Sequence, residues 1–243
     1  MKPGRPTATI AGFEQAALAS VAERSVAKTA DWRRLGSTIM THFWFKCFGT
    51  LGFMASFFAG YFYLLNHPAY PVRVMPVTLL DRLIGFEPLA LPVYFSVWVY
   101  ICLPQTLMLT RREVISSGAW MGALCLTGLS IFRFWPNAVP PADIRWDLYP
   151  GMGFLKGVDA AGNACPSLHV AASVYAAFRL NWQLPALGLP RGARWANAIW
   201  CVAIAYSTMA TKQHVAVDVA AGAALGAVFA LLSRLEMRRP LGA

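Results

Sequence analysis

Two short stretches of the chain combine residue types that could transfer a phosphoryl group. The first, residues 166–169, reads Pro-Ser-Leu-His, and the second, residues 207–218, contains His214 and Asp218. Each stretch lies beside a long apolar run, where ionisable side chains are costly and therefore indicate function. Together they supply hydroxyls, two imidazoles, a carboxylate and a lysine. These are the groups that phosphoryl transfer without a metal would need.

The spacing within each stretch predicts how these groups are held. His214 and Asp218 are four residues apart, so on a helix they would share a face. A carboxylate there can hold one imidazole nitrogen as N–H and leave the other free to attack. Pro166 suits the first position of a helix, which would place Ser167 and His169 in the first turn. Backbone N–H groups at a helix N-terminus attract phosphate.

The composition places these stretches in a membrane. Of the 243 residues, 57% are hydrophobic and only 13% are charged, against roughly 25% charged residues in soluble domains. Several apolar runs approach the ~20 residues that a spanning helix needs. We therefore predict an all-α, polytopic membrane protein. Its six predicted transmembrane helices cover residues 43–65, 88–109, 116–134, 166–182, 194–210 and 213–235.

The predicted organisation of the chain has three parts. Residues 1–40 form an N-terminal cytoplasmic or interfacial segment, which is either an amphipathic helix or a poorly ordered tail. Residues 41–236 form the six-helix membrane domain, and residues 237–243 form a basic cytoplasmic tail. Within the domain, the small residues from Gly222 to Gly226 predict close packing of the last helix against a neighbour. The long loop over residues 135–164 is expected to lie over the site.

The positive charge of the chain indicates topology and not nucleic-acid binding. The net charge is +10, but the basic residues fall at the ends of apolar runs, where they set orientation and contact anionic lipids. Most of them lie on one side of the six-helix arrangement. The positive-inside rule therefore predicts that both termini are cytoplasmic. Both chemical stretches would then face the outside, which is the periplasm if the protein lies in a bacterial inner membrane.

The two stretches together resemble the type 2 phosphatidic acid phosphatase (PAP2) superfamily. That family carries P-S-x-H followed by S-R-x5-H-x3-D, and residues 166–169 and 207–218 match the two patterns in spacing. Thr208 stands where many members carry a phosphate-binding arginine. The family's earlier K-x6-R-P motif is not matched, and Arg133 followed by Phe-Trp-Pro is a loose analogue. The missing arginine and the run Thr211-x-Gln213-His214 look more like the branch that includes inositol phosphorylceramide synthases and sphingomyelin synthases.

The resemblance implies a PAP2-like core and a role for each polar residue. His214 would be the nucleophile that forms a phosphohistidine, Asp218 would orient it, and His169 would be the general acid and base. Further residues would contact the phosphate, and each also has a plain structural role as an alternative, such as a helix cap or an interfacial cation. These predicted substrate contacts are Ser167, Lys212, Arg133, Ser207, Thr211 and Arg145. No metal and no cofactor is expected, because Asp218 is the only acidic residue in the two stretches and the five cysteines show no ligand spacing.

The acceptor of the phosphoryl group stays open at the level of sequence. Water would make a lipid phosphate phosphatase, acting on phosphatidic acid, phosphatidylglycerol phosphate or a polyprenyl diphosphate. An alcohol would make a head-group phosphotransferase of the inositol phosphorylceramide synthase type. A non-catalytic lipid transporter or scaffold on the same fold is a further alternative, although both histidines are intact and no repeat symmetry is evident. The expected partners are a lipid phosphate or phospholipid and the bilayer, with no nucleic acid.

Overall fold

The computed structural model describes residues 33–149, 151 and 162–238. Most of the predicted N-terminal segment, part of the long loop and the end of the predicted tail lie outside these residues. A helical stretch over residues 33–40 precedes the first long helix.

The described residues form a helical bundle with one small sheet. Its helices are α1 (Phe43–Asn66), α2 (Leu79–Leu83), α3 (Leu91–Phe95), α4 (Val97–Thr106), α5 (Arg111–Phe134), α6 (Leu168–Ala186), α7 (Arg191–Ala210) and α8 (Ala216–Arg238). Strands β1 (Arg73–Val74) and β2 (Asn137–Ala138) pair in parallel, and 3-10 turns cover Pro88–Ala90 and Trp146–Leu148. Helix α6 packs against α4, α5, α7 and α8, which makes it the centre of the bundle. The predominantly helical architecture is confirmed.

Four segments within the described residues are long and apolar enough to cross a membrane. They are Phe43–Asn66, Pro88–Thr106, Arg111–Phe134 and Ala216–Glu236. Helices α6 and α7 have comparable lengths, but they carry more polar side chains, including the buried Arg179 and Asn197. The four apolar segments support an integral membrane protein, whereas the count of six spanning helices stays a prediction.

Capping and proline residues move several predicted boundaries in the first half. The first helix was placed correctly, but the second is divided into a 3-10 turn, α3 and α4, and it ends at Thr106. Helix α5 begins five residues earlier than predicted, at Arg111. Thr110 accepts a hydrogen bond from the Glu113 N–H, and the Glu113 carboxylate accepts one from the Thr110 N–H. This capping box makes the predicted polar turn the first turn of the helix.

The boundaries around the chemical stretches also differ from the prediction. Helix α6 begins at Leu168, because Ser167 is the N-cap and its hydroxyl accepts a hydrogen bond from the Val170 N–H at 3.3 Å. The placement of Ser167 inside the first turn was therefore wrong. Helix α8 begins at Ala216 and not at residue 213, because Lys212 adopts a left-handed backbone with φ of 56° and the chain turns there.

Helices α6 and α8 approach each other unusually closely at two glycines. A Cβ atom at Gly222 would lie 2.3 Å from the carbonyl oxygen of Ser167, and one at Gly226 would lie 2.3 Å from that of Ala171. Only glycine allows this separation. The close packing predicted from the small-residue pattern is confirmed. It holds the beginnings of α6 and α8 side by side.

Candidate active site

Backbone hydrogen bonds gather the two chemical stretches at one end of the bundle. The Ser167 N–H donates to the carbonyl oxygen of Asp218 at 3.0 Å, which joins the start of α6 to the first turn of α8. The Glu87 N–H donates to the carbonyl oxygen of Ala210 at 2.9 Å, which joins the end of α7 to the loop before α3. The β1–β2 pairing lies in the loops that follow α1 and α5. One end of each of the helices α1, α3, α5, α6, α7 and α8 therefore lies near the two chemical stretches.

The two predicted catalytic histidines face each other at this end. The ring centroids of His169 and His214 are 5.8 Å apart, with the ring planes at 60°. His169 projects from the first turn of α6, and His214 lies in the turn just before α8. His214 is only 7% exposed, and His169 is partly buried. Two imidazoles at this separation can contact the same phosphate group.

Asp218 lies behind His214. Its Oδ2 is 3.6 Å from Nδ1 of His214, which is longer than a hydrogen bond, and the same oxygen accepts the Val215 N–H at 3.0 Å. Nδ1 of His214 is buried and makes no hydrogen bond within the part of the chain described. Hydrogen bonds of catalytic groups are often long in ligand-free enzymes and shorten in the substrate complex.

The thiol of Cys165 lies near the Asp218 carboxylate, whose Oδ1 is buried without a hydrogen-bond partner among the described residues. Burial, followed by the adjacent Asp218 carboxylate, raises the pKa of the Cys165 thiol to about 11. The thiol therefore stays protonated at neutral pH and can donate to the carboxylate. Asp218 itself has no exposed side-chain surface, so its charge acts on His214 through a region that water does not screen.

His169 has an aromatic partner that the sequence did not reveal. The hydroxyl of Tyr94, in α3, lies 3.2 Å from Nε2 of His169, and Tyr94 is only 1% exposed. The ring of Trp98 meets the His169 ring edge-on at 5.6 Å. An aromatic residue within an apolar span gives no pattern that separates it from a lipid contact, so sequence analysis could not single out Tyr94. The contact fixes the orientation of the second imidazole.

A buried amide holds the loop that leads into α6. The side-chain oxygen of Asn137 accepts the N–H groups of Ala164 and Cys165 at 2.8 and 2.7 Å, and its Nδ2 donates to the Cys165 carbonyl oxygen at 2.7 Å. Asn137 is 1% exposed and belongs to β2. It thereby places the loop directly before Ser167. Sequence analysis also missed this residue, because a single asparagine in a proline-rich loop carries no distinctive spacing.

Lys212 and Asp81 join α2 to the turn that carries His214. Nζ of Lys212 donates to the carbonyl oxygen of Ile84 at 2.6 Å and, more weakly, to that of Asp81 at 3.3 Å. The Ala216 N–H donates to Asp81 Oδ1 at 2.7 Å, at the start of α8. Partial burial raises the pKa of the Asp81 carboxyl, but hydrogen bonds from Thr78 and Ala216 and the nearby Lys212 charge outweigh it and lower this pKa overall. Asp81 is thus a charged anchor for the turn.

The other predicted phosphate contacts are two buried hydroxyl residues and two exposed arginines. The hydroxyl groups of Ser207 and Thr211 are buried and donate to helix carbonyl oxygens. Arg133, in the last turn of α5, and Arg145, beside a 3-10 turn, are exposed. These four residues line neither of the two cavities described below. Their phosphate contacts stay a prediction.

Two cavities within the described residues reach His214 from different sides. An apolar chamber of about 420 Å³ lies between α1, α4, α5 and α6, and both histidines line its upper end. A smaller pocket of about 190 Å³ is lined by Lys212, Asp81 and His214 together with the loop over residues 139–142. His214 therefore lines both cavities. In the part of the chain that the structure describes, no cluster of His, Cys, Asp and Glu side chains has the arrangement to hold a metal ion.

One comparison with known proteins gives a match. A family model described as the PAP2 superfamily matches residues 48–239, which is well over half of the chain and includes both chemical stretches. No curated protein and no solved structure shows significant similarity to the chain.

Proposed function

The chain belongs to the PAP2 superfamily, whose members are generally phosphatases or phosphotransferases, and we propose that it cleaves or transfers a phosphate ester of a membrane lipid through a phosphohistidine. One observation carries this proposal. The rings of His169 and His214 face each other at 5.8 Å, and the buried Asp218 carboxylate lies 3.6 Å behind His214. This arrangement at one end of the bundle suits a nucleophile, its orienting carboxylate and a general acid.

The proposed reaction has two halves. In the first, Nε2 of His214 attacks phosphorus, and the N–P bond forms as the bond to the leaving oxygen breaks. His169 gives its proton to that oxygen, and Asp218 accepts a hydrogen bond from Nδ1 and stabilises the positive ring. In the second half, His169 takes a proton from the acceptor as its oxygen attacks the phosphohistidine. The product leaves and His214 is restored.

Charge on the phosphate oxygens also needs compensation, and Thr208 cannot supply it in place of the family's arginine. Lys212 is the best supported replacement, because it lines the smaller pocket together with His214. The N-terminus of α6 adds a partial positive charge on the His169 side. Ser167 contributes through its cap at this terminus. We retain Arg133 and Arg145 as candidates that would approach only when substrate is bound.

The acceptor defines a second candidate function. The smaller pocket adjoins His214 and is distinct from the apolar chamber, so it offers a place for the acceptor. An alcohol in this pocket would make a phosphotransferase, as in the branch that includes inositol phosphorylceramide synthases. Water would fill the same pocket in a phosphatase. Adding alcohols to the assay therefore distinguishes the two functions.

The experiment uses the purified full chain with phosphate-labelled lipids, with and without polyol acceptors. We expect His214→Ala and His169→Ala each to lower turnover by at least about 10³-fold, because the first removes the proposed nucleophile and the second removes the proposed general acid and base. His67→Ala is the matched control, since His67 is exposed, stacks on Tyr63 and lines neither cavity. Free phosphate as product identifies a phosphatase, and a labelled alcohol identifies a phosphotransferase. Full activity of either catalytic variant would refute the proposal.

We also propose that the site end of the bundle faces the periplasm of a bacterial inner membrane, with both termini in the cytoplasm. The opposite end carries most of the positive charge, including Arg111, Arg112, Arg191 and Arg194. Positive residues in short loops favour the cytoplasmic side. The substrate would then present its phosphate at the outer surface of that membrane.

A further inference from the structure

We propose that the apolar chamber binds one unbranched hydrocarbon chain of the substrate, and that the polar groups at its far end limit the length of that chain. The identity of the reacting head group rests on the proposed function, whereas the chain site rests on the chamber itself. The substrate class is then a single-chain alkyl or acyl phosphate or diphosphate. A lipid with two chains would have to leave the second one in the bilayer.

The chamber has the shape of a channel that runs along the bundle. Its lining on α1 extends from the level of Phe45 to that of Phe62, which is about 25 Å at 1.5 Å per residue. Aromatic and aliphatic side chains such as Phe57, Trp98 and Met121 form the walls. Both histidines line it, so a phosphate held between them would direct its ester chain into the channel. The occupant is therefore part of the same molecule that reacts.

The far end of the chamber is closed by polar groups. Lys46 is only 5% exposed, and its Nζ donates to the carbonyl oxygens of Thr38 and Thr106, both at 2.9 Å. Gln105 lies beside it, and its Oε1 is buried without a hydrogen-bond partner among the described residues. A hydrocarbon chain that passed this point would have to break these hydrogen bonds and bury a charge against methylene groups, which is costly. Lys46 and Gln105 thus form a polar floor.

The distance from the histidines to this floor sets the length. A chain gains little hydrophobic free energy when it moves from lipid into an apolar cavity. Discrimination must therefore come from fit. Chains long enough to reach Lys46 and Gln105 meet overpacking and buried polar groups, and both oppose binding.

Two glycines allow the chamber to be tested without disturbing its walls. A Cβ atom at Gly118 or at Gly52 would meet no atom within 4 Å. Gly118 lines the deep half of the chamber, and Gly52 lies on α1 outside it. Gly118→Leu therefore fills chamber space, and Gly52→Leu is a control with the same change of residue type. Lys46→Met removes the charged floor and keeps a side chain of similar length.

The experiment measures binding and turnover separately on the full chain in lipid nanodiscs. The probes for binding are n-alkyl phosphonates from 8 to 20 carbons, which have no cleavable ester, and a branched isoprenyl phosphonate. We expect affinity to fall by at least about fivefold once the alkyl chain is long enough to reach Lys46. In Gly118→Leu the fall should begin about four carbons earlier, because the leucine side chain takes up four carbon atoms' worth of space. Lys46→Met should move the limit to longer chains, and Gly52→Leu should keep the wild-type profile.

Several outcomes would overturn the chain site. They are an affinity that does not change from 8 to 20 carbons, no measurable binding at any length, tighter binding of the branched probe, or the same profile in wild type and Gly118→Leu. Turnover of the matching alkyl phosphates tests the proposed function independently. A clear length limit in binding without any turnover would refute the phosphoryl-transfer proposal and leave the chain site standing. Turnover without a length limit in binding would refute the chain site and leave the phosphoryl-transfer proposal standing.

Discussion

Replacing Gly222 by alanine tests whether the contact between α6 and α8 positions the site. The new Cβ atom would lie 2.3 Å from the Ser167 carbonyl oxygen and 3.2 Å from its carbonyl carbon. Ordinary contacts of this kind begin at 3.4 Å, so the two helices would have to separate by about 1 Å. That displacement strains the hydrogen bond from the Ser167 N–H to the Asp218 carbonyl oxygen. It also moves His169 away from His214.

Gly222→Ala should lower both the free energy of unfolding and the turnover. Overpacking against a backbone atom should lower the free energy of unfolding by about 1–3 kcal/mol, partly offset by about 1 kcal/mol from the better helix propensity of alanine. A displacement of about 1 Å among catalytic groups can lower turnover by about 100-fold. Gly226→Ala makes an equally short contact, 2.3 Å to the Ala171 carbonyl oxygen, but one turn further from the histidines. It should therefore destabilise the protein similarly and lower turnover by less than about tenfold.

The assay is turnover of a labelled alkyl phosphate together with denaturant unfolding of each variant. Gly52→Ala is the control, because a Cβ atom there meets nothing within 4 Å. Wild-type activity and stability in Gly222→Ala would refute the close approach of α6 and α8. Equal losses of activity in Gly222→Ala and Gly226→Ala would show instead that general separation of the helices, and not local displacement of His169, causes the effect.

Three further predictions concern Tyr94, Asp81 and the orientation of the protein in the membrane. Tyr94→Phe should lower turnover by about tenfold with little change in KM, because it removes one hydrogen bond that orients His169; an unchanged turnover number and pH profile would contradict this role. The pKa of Asp81 is lowered from its ordinary value of 3.8, so its stabilising contribution is complete above that pH and is lost as the pH falls below it. The difference in free energy of unfolding between wild type and Asp81→Asn should therefore be larger at pH 6 than at pH 3. A difference that stays constant over this range would contradict a stabilising role of the Asp81 charge. In Arg145→Cys the new thiol should react with a membrane-impermeant maleimide on intact cells. In Arg191→Cys it should react only after the cells are permeabilised. The opposite pattern would contradict the proposed orientation.

Local sequence patterns predicted the helical elements well because the apolar runs are long. Helix α1 was placed to within one residue, and the small residues of α8 correctly indicated a close neighbour. The boundaries that failed depend on side chains acting across a turn. Thr110 and Glu113 cap α5 reciprocally, and Ser167 caps α6, so both helices begin elsewhere than their apolar pattern indicates.

The residues that surround the histidines could not be predicted because their role depends on contacts that are distant in sequence. Tyr94 precedes His169 by 75 positions, and Asn137 precedes Cys165 by 28. Neither separation follows a helical or strand period. The phosphate contact of Lys212 stays a prediction, whereas the hydrogen bond from its Nζ to the Ile84 carbonyl oxygen is a structural role that only the fold reveals. The histidines themselves stood out because ionisable residues are rare beside apolar spans.

The most direct test of the proposed chemistry is to trap the covalent intermediate. The full chain would be mixed with a phosphate-labelled substrate, quenched in alkali, which preserves phosphohistidine, and digested for mass spectrometry. We expect one phosphoryl group on the peptide that contains His214, and we expect none in His214→Ala. Turnover of the substrate without any phosphate on His214, or with the label on His169, would contradict the assignment of His214 as the nucleophile.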